Sequence, residues 1–190
     1  ANSSSEYCPV SQSSLKFGTS GLRGLAVELE GQAARRYTAA FLCHMRSSGQ
    51  IGGGKVFLGR DFRPSSPQIM ADCAAAIAQF GLQAVDCGAI PTPALAYHAM
   101  AAGCGAIMVT GSHIPADRNG LKFYVAAGEI TKADETGIAA ALREVVPAGE
   151  GAVEDGSIAA GDRYRQRYRG LLDPAALKGW RVGVFEHSSM

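Results

Sequence analysis

Residues 105–125 read GAIMVTGSHIPADRNGLKFYV: an apolar strand, a polar loop and a second strand. Both predicted strands, 105–109 and 121–125, contain the β-branched and aromatic residues that favour strands. The loop between them places the Ser112 hydroxyl next to the His113 imidazole. Because ligands of α/β proteins bind where buried strands end, this stretch decides both the fold class and the candidate site.

The composition of the loop favours an anion. Gly111 lets a bulky group approach backbone N–H donors, and Pro115 stiffens the loop because its ring fixes φ. Lys122, ten residues after Ser112, adds a compact positive charge with three donors. The pattern predicts a site where Ser112 accepts or donates a charged group, although an ordinary polar turn between two strands has the same composition.

Predicted strands and helices alternate along the rest of the chain. Apolar runs predict strands at residues 55–59 and 82–87, and helical spacing predicts helices at 32–45, 66–80, 92–102, 131–145 and 161–172. Ser66 reads as a helix N-cap before Pro67, and Thr131 with Asp134 as a capping box. The alternation predicts an α/β fold: a three-layer α/β/α domain with a mostly parallel mixed sheet.

Three polar loops follow the ends of predicted strands. They contain Asp61 with Arg63, Pro91 with Thr92, and Ser112. Because the carboxyl ends of parallel strands lie along one edge of a sheet, we expect the three loops to meet there.

A glycine-rich segment, FGTSGLRG at residues 17–24, carries Arg23. Such a loop can direct backbone N–H groups and a guanidinium to one anion, or its glycines can simply permit tight turns. It lacks the spacing and the lysine of a nucleotide-binding P-loop. We expect Arg23 to join the three strand-end loops.

The overall composition gives no sign of a nucleic-acid or membrane partner. Hydrophobic residues make up 47% and charged residues 18%, and the formal net charge is +1. No apolar run reaches the ~20 residues that span a bilayer, and no secretory signal is visible. The five cysteines are odd in number and widely separated, which favours reduced thiols in a cytoplasmic protein over disulfides or zinc.

The domain boundaries follow changes in composition. Residues 1–14, with six serines, are predicted to be a flexible leader. The main domain covers 15–146, a linker and a helix cover 147–178, and 179–190 hold the first strand of a truncated second α/β domain. The alternating arginines of the last helix, from Arg163 to Arg169, are interpreted as a solvated surface.

Four segments carry a family resemblance. They are FGTSGLRG at 17–24, GRDFR at 59–63, GAIPTP at 88–93, and TGSHIP at 110–115 with NGLK at 119–122. In this order they resemble the N-terminal domain of the α-D-phosphohexomutases, the phosphomannomutase/phosphoglucomutase superfamily. The resemblance covers about residues 15–146. It therefore rests on the whole domain rather than on one motif.

The resemblance implies a reaction. Hexose 6-phosphate and hexose 1-phosphate would be interconverted through a phosphoserine and a hexose 1,6-bisphosphate. Ser112 would be the phosphoserine and a ligand of Mg²⁺, with Arg23 and Lys122 balancing charge and assisting proton transfer. Lys122 is the better acid/base candidate, because an arginine side chain stays protonated in proteins. The implied substrate-binding residues are Thr19, Ser20, Arg23, His113 and Lys122, and His113 would also orient the reacting groups.

The chain departs from the family at two loop positions. The usual loop reads Thr-Ala-Ser-His-Asn-Pro, whereas Gly111 and Ile114 stand here. Ile114 lacks the amide that would hydrogen-bond near the phosphate. The combination of Ser-Gly-Leu-Arg with Ser-His-Ile-Pro suggests a phosphomannomutase-like branch.

Further parts of the family do not occur in these residues. They are an Asp-Gly-Asp-Ala-Asp-Arg magnesium loop, a third domain that recognises sugar hydroxyls and a fourth that clamps phosphate. We therefore expect an N-terminal fragment that is inactive alone, whose partners are a hexose phosphate and domains 2–4 of the same enzyme. The alternative is a non-catalytic domain that binds phosphate or a partner. A Ser-His hydrolase would need a Gly-x-Ser-x-Gly elbow, which is absent.

Overall fold

The computed structural model describes residues 13–18, 21–142, 152–186 and 189. Its strands are β1 (Lys16–Gly18), β2 (Gly21–Leu25), β3 (Lys55–Arg60), β4 (Gln83–Ala89), β5 (Gly105–Val109), β6 (Arg118–Val125), β7 (Gly128–Glu129) and β8 (Val153–Asp155). Its helices are α1 (Ala26–Leu29), α2 (Gln32–Ser47), α3 (Ser66–Gln79), α4 (Thr92–Ala101), α5 (Lys132–Ala140) and α6 (Ser157–Arg169). None of the helices in these residues is both long and apolar enough to cross a membrane.

The described strands form one mixed sheet in the order β1-β2-β6-β5-β3-β4-β8, with β7 beside β6. Strands β5, β3, β4 and β8 are parallel, because α3, α4 and other long connections bring the chain back between them. β6 runs antiparallel to β5, since the loop 110–117 is too short for such a crossover. The predicted mixed α/β sheet is confirmed, with a larger antiparallel share than the prediction gave it.

Two hydrophobic cores lie on opposite faces of the sheet. Along β3, Val56 and Leu58 point to the face covered by α2, α3 and α5, while Phe57 points to the face covered by α4 and α6. This alternation is the period of two expected for a strand buried on both faces. The predicted three layers, helix–sheet–helix, are confirmed.

Helix starts follow the predicted signals closely. The Thr131 hydroxyl accepts from the Asp134 N–H, and the Asp134 carboxylate accepts from the Thr131 N–H, so the predicted capping box is present. The predicted N-cap of α3 was wrong by one residue: Ser65 occupies that position. Ser66 is instead the first helical residue, fully buried, and its hydroxyl donates to Asp61 at 2.6 Å.

The glycine-rich segment forms a β-hairpin rather than only a loop. β1 and β2 pair antiparallel across it, and β2 pairs in turn with β6. Gly21 has φ +106°, and a Cβ there would lie 2.2 Å from the Leu121 carbonyl oxygen. Only glycine therefore lets β2 approach β6 at this point.

Several predicted boundaries move. β8 lies inside the predicted linker, where three residues after a glycine-rich run gave little strand signal. Helix α6 begins at Ser157 rather than at residue 161. Residues 1–12 and 143–151 lie outside the described residues. Ser14 is held at the start of the domain, where its N–H donates to Glu28 and its hydroxyl accepts from the Leu25 N–H.

The strand predicted for residues 180–185 is not formed. Residues 181–186 belong to no strand of the described chain, and the Phe185 side chain is 93% exposed. A strand needs partners for its backbone N–H and C=O groups, and none of the described strands lies beside this segment. The start of a second domain here stays a prediction.

Candidate active site

Ser112 lies at the outer edge of the sheet, in the loop that leaves the carboxyl end of β5. Its side chain is exposed and its φ is +50°, in the left-handed region that residues other than glycine seldom occupy. The Ser112 N–H donates to the Thr110 hydroxyl at 2.9 Å, and the Ile114 N–H donates to the Gly111 carbonyl at 3.0 Å. These bonds fix a tight turn that presents the hydroxyl to solvent.

The three strand-end loops do meet at this edge. β3 pairs in parallel with both β4 and β5, so that Arg60 aligns with Ala89 on one side and with Val109 on the other. The Asp61 N–H donates to the Val109 carbonyl, and the Ile90 N–H to the Arg60 carbonyl. The parallel register thus brings the predicted loops together at the edge where α/β proteins bind ligands.

Asp61 anchors the base of the Ser112 loop. One carboxylate oxygen accepts from the Thr110 hydroxyl at 2.9 Å and from the Gly111 N–H at 3.0 Å. The other accepts from the Ser66 hydroxyl at 2.6 Å and from the Arg63 N–H at 3.1 Å. Burial opposes ionisation, but these hydrogen bonds outweigh it and lower the pKa of Asp61. Asp61 is therefore an ionised structural anchor whose acceptor sites are occupied.

Arg63 holds the same loop from its other side. Its guanidinium donates to three loop carbonyls, those of Pro115 at 2.6 Å, Ile114 at 2.6 Å and Ser112 at 3.3 Å. It also donates at 3.1 Å to the carbonyl of Arg118, where β6 begins. Its Nε lies 3.4 Å from the Asp61 carboxylate. The planar fork of arginine suits this use, since several acceptors converge on one rigid group.

Gly111 leaves the space that the Arg63 guanidinium fills. A Cβ at residue 111 would lie 2.1 Å from Arg63 Nε and 2.3 Å from its Cζ. The departure from the usual alanine noted in the sequence is thus matched to the position of Arg63. Gly111 and the hydrogen bonds of Arg63 to the loop, called here the arginine clamp, therefore depend on each other.

Asn119 joins the loop to the start of α3. It is fully buried, and its amide donates to the Ser65 and Ser66 hydroxyls at 2.9 Å each. Its amide oxygen accepts from the Gly120 N–H at 2.8 Å. Asn119, which belongs to the NGLK segment, therefore has a structural role.

Arg23 and Lys122 lie on one face of the sheet, beside the loop. Arg23 of β2 is opposite Gly120 of β6, and Lys122 is two residues further along β6. Side chains two residues apart share a face, so the two cations are diagonal neighbours on adjacent strands, within reach of one ligand. Because the Thr110 N–H donates to the Gly120 carbonyl, this face adjoins the Ser112 turn.

Both cations are available to a ligand. They are half-buried, and neither forms an ion pair with a carboxylate of the described residues. A Cβ on Gly120, the residue opposite Arg23, would lie 2.5 Å from the Leu22 carbonyl oxygen and 3.2 Å from Arg23 Cγ, so glycine keeps this position clear. Positive charge with room beside it suits a phosphate group.

His113 is exposed, and its Nδ1 lies 3.3 Å from Ser112 Oγ. Thr19 and Ser20, predicted to contact substrate, lie outside the described residues. The structure therefore brings Ser112, His113, Arg23 and Lys122 to one edge, and the roles predicted for them stay predictions.

A metal would find few ligands among the described residues. They include no cluster of three or more histidine, cysteine, aspartate or glutamate side chains able to hold an ion. Asp61, the carboxylate nearest the turn in the hydrogen-bond network, already accepts four hydrogen bonds. Oxygen atoms on Ser112 fit a hard cation such as Mg²⁺ as one part of its shell.

The sequence prediction placed the loop with Asp61 and Arg63 at this edge but gave Asp61, Arg63 and Asn119 no role in the site. The signal was present, because Asp61 and Arg63 belong to the GRDFR segment that ends β3. Only the structure showed that they hydrogen-bond the backbone of the Ser112 loop rather than a ligand.

Comparison with known proteins places this geometry in a family. Residues 14–147 match the family model described as phosphoglucomutase/phosphomannomutase, alpha/beta/alpha domain I. The chain is 49% identical over 184 residues to a phosphomannomutase of Sinorhizobium fredii, covering 92% of this chain and 38% of that protein. It is 42% identical over 183 residues to a phosphomannomutase of Salmonella muenchen, covering 96% of this chain and 38% of that protein.

A solved structure from Thermus thermophilus, assigned as a phosphomannomutase, superposes with a TM-score of 0.77 at 31% identity. The match covers 88% of this chain and 38% of that one. The chain thus spans less than two fifths of the length of these relatives.

Proposed function

Because the chain belongs to the phosphoglucomutase/phosphomannomutase family, we propose that it is the phosphoserine-bearing domain of a phosphohexomutase. The whole enzyme would interconvert a hexose 6-phosphate and a hexose 1-phosphate through a hexose 1,6-bisphosphate. The observation that carries the proposal is the Ser112 turn: an exposed hydroxyl on a rigid loop, beside two cations that no carboxylate of the described residues neutralises.

In the first half-reaction, a phosphoryl group on Ser112 passes to the free hydroxyl of the bound hexose phosphate. The bond from phosphorus to Ser112 Oγ breaks and a bond from phosphorus to the sugar oxygen forms. The sugar hydroxyl gives up its proton as it attacks, and Ser112 Oγ takes up a proton as it leaves. Lys122 is the residue of this chain suited to exchange these protons, because arginine remains protonated.

In the second half-reaction, the other phosphoryl group of the bisphosphate returns to Ser112 Oγ. This step releases the isomeric hexose monophosphate and restores the phosphoserine. Phosphoryl transfer depends on alignment and on charge neutralisation more than on covalent chemistry. Arg23 and Lys122 supply that charge from the adjoining face, and His113, 3.3 Å from Ser112 Oγ, orients the reacting groups.

Magnesium fits this scheme if its ligands come from two parts of the enzyme. Oxygen atoms on phosphorylated Ser112 would hold it from this chain, and carboxylates from another part of the enzyme would complete its shell. When bound, the ion neutralises charge on the transferring phosphoryl group. Asp61 and Arg63 would keep the turn in shape while the phosphate comes and goes.

The remaining partners follow from coverage and composition. Further domains, corresponding to the length of the relatives that this chain does not span, would bind the sugar and its second phosphate. Among the described cysteines, Cys43, Cys73, Cys87 and Cys104 are free thiols, which supports a cytoplasmic enzyme.

Substitution of Ser112 tests the proposal. Ser112→Ala in the whole enzyme should abolish mutase turnover, because no oxygen remains to carry the phosphoryl group. His113→Ala, which keeps that oxygen, is the matched control and should retain measurable turnover. Near-normal turnover of Ser112→Ala would reject the phosphoserine.

A further inference from the structure

A cavity between α4 and α6 has features of a second anion site. This cavity is open to solvent and has a volume of about 590 Å³. Its lining includes Tyr97 and His98 from α4 and Asp162, Arg163 and Arg167 from α6. The Asp162 carboxylate is paired with Arg165, outside the lining. These helices lie on the face of the sheet that Phe57 also packs on. None of these residues has a part in the proposed mutase reaction.

The two arginines are placed for a shared ligand. Arg163 and Arg167 are four residues apart, so they lie on one side of α6, one turn from each other. Neither forms an ion pair with a carboxylate among the described residues. Arg165, between them in sequence, does so with Asp162. Two like charges at this spacing destabilise a helix, and an anion between them removes that penalty.

Arg167 is held in position by an aromatic ring. Its Cζ lies 4.8 Å from the centre of the Tyr97 ring, a cation–π contact across the cavity. A guanidinium stacked in this way keeps its N–H donors at the edge of its plane free for an acceptor. Arg167 of α6 is therefore held in position by Tyr97 of α4, with its N–H donors free for a ligand in the cavity.

His98 is a buried polar residue without a full set of partners. It is 9% exposed, its ring packs edge-on against Phe57, and its Nδ1 makes no hydrogen bond within the described part of the chain. Burial, and then the charge of Arg163, lowers the pKa of His98, so its imidazole is neutral near pH 7. Because Nδ1 has almost no accessible surface, His98 forms part of the wall beside the arginines and would report on a ligand there without having to contact it through Nδ1.

We propose that this cavity binds a tetrahedral oxyanion, a phosphate group either free or carried by a small metabolite, through Arg163 and Arg167 with His98 in the cavity wall. The site differs from the Ser112 edge, because α4 begins at that edge with Thr92 and reaches His98 nearly two turns later. The structure confirms the prediction that these arginines are exposed to solvent, and the proposed site places a ligand on that surface.

A titration of the whole protein with inorganic phosphate tests the site. The protein would carry Arg23→Ala and Lys122→Ala to weaken phosphate binding near Ser112, and its histidines would be isotope-labelled for NMR. We expect the His98 ring signal, assigned by comparison with His98→Gln, to shift in a saturable way. Sodium chloride at equal ionic strength should not produce that shift. A parallel titration with glycerol phosphate identifies whether the free ion or the ester binds more tightly.

Variants of α6 locate the binding. Arg163→Ala with Arg167→Ala should weaken phosphate binding about tenfold or more, because charged hydrogen bonds are lost. Arg169→Ala removes an arginine of the same helix that does not line the cavity, and should bind as the parent does. Circular dichroism checks that every variant is folded. A His98 signal that responds equally to chloride, or equal affinity of the double variant and the parent, would overturn the proposal.

Discussion

Arg63 and the pair formed by Arg23 and Lys122 lie at the same edge of the sheet, but they use their charge differently. Arg63 donates to three carbonyls of the Ser112 loop and to one at the start of β6, and it contacts Asp61. Arg23 and Lys122 form no ion pair with the carboxylates of the described chain, although both are half-buried. One cation thus maintains the shape of the site, and the other two remain available to a ligand.

The difference indicates how the proposed phosphate site would be ordered before phosphate arrives. Asp61 and Arg63 satisfy the polar groups of the loop internally, so a ligand does not have to order it. The free cations raise the electrostatic potential on the adjoining face and favour an anion there. Substitutions of the cations at this edge should therefore separate into two classes: loss of rate without loss of stability, and loss of both.

The largest effect should come from the free cations. Arg23→Ala or Lys122→Ala in the whole enzyme should lower kcat/KM by roughly 10²- to 10⁴-fold, because charge balance and proton transfer are lost. The free energy of unfolding should change by no more than ~0.5 kcal/mol, since no ion pair is broken. Steady-state kinetics and denaturant titration measure the two quantities. Arg169→Ala, which removes an exposed arginine elsewhere, is the control, and a stability loss with normal kinetics would contradict the comparison.

Arg63 should behave in the opposite way. Arg63→Ala should lower the free energy of unfolding by about 2–3 kcal/mol, because several loop carbonyls and Asp61 lose a charged donor. The rate should fall as well, since the Ser112 turn loses its shape. Arg63→Lys should recover little, because an ammonium cannot reach the same acceptors. Denaturant titration measures the free energy of unfolding, and limited proteolysis measures the order of the loop 110–117. Unchanged stability of Arg63→Ala would show that Arg63 does not hold the loop in place.

A remote hydrogen-bonded pair should affect stability alone. His44 of α2 and Asp134 of α5 are 2.8 Å apart, in the helix layer on the far face of the sheet from Lys122. Burial would raise the pKa of Asp134, but hydrogen bonds from His44 and Thr131 outweigh it and lower the pKa to about 2. The folded-state value lies below the unfolded value of ~3.9, so the stabilisation is present above pH ~4 and disappears as the pH falls toward 2.

The contribution at stake is about 2 kcal/mol of unfolding free energy. Asp134→Asn should flatten the dependence of stability on pH between about 4 and 2 and leave turnover at neutral pH unchanged. Lys132→Met, on the same helix, should keep the wild-type slope. An unchanged slope in Asp134→Asn would show that this pair does not stabilise the fold.

The smallest effect should come from Gly111→Ala. The new methyl group would press on the Arg63 guanidinium, and shifting that side chain should cost about 1 kcal/mol. A double-mutant cycle isolates the interaction: in the Arg63→Ala background the alanine should cost close to nothing. Equal costs in both backgrounds would show that Gly111 and Arg63 are independent.

The sequence predicted the parts of the fold that long periodic segments encode. Helices α2, α3 and α4 and the buried strands β3, β4 and β5 lie where apolar spacing indicated them. β8 and the β1–β2 hairpin were missed because they are short, and the hairpin is rich in glycine. The strand expected at 180–185 shows the converse: its residues favour a strand, but pairing depends on a neighbour that a local pattern cannot supply.

For the candidate site too, the sequence predicted which residues lie at the edge but not all of their contacts. The sequence placed the Ser112 loop at the ligand-binding edge because the carboxyl ends of parallel strands lie on one side of a sheet, and the motifs added Arg23 and Lys122 to it. Arg63 donates to four carbonyls that lie about fifty residues further along the chain, between Ser112 and Arg118. No local sequence signal encodes these contacts.

The most direct test asks where a phosphoryl group goes. The whole enzyme, incubated with a hexose 1,6-bisphosphate, should gain one phosphoryl group, and peptide mass spectrometry should locate it on Ser112. Lys122→Ala and Arg23→Ala should gain it far more slowly, and Ser112→Ala should not gain it. A protein that remains unmodified while turning over substrate, or that carries the group on another residue, would contradict the account.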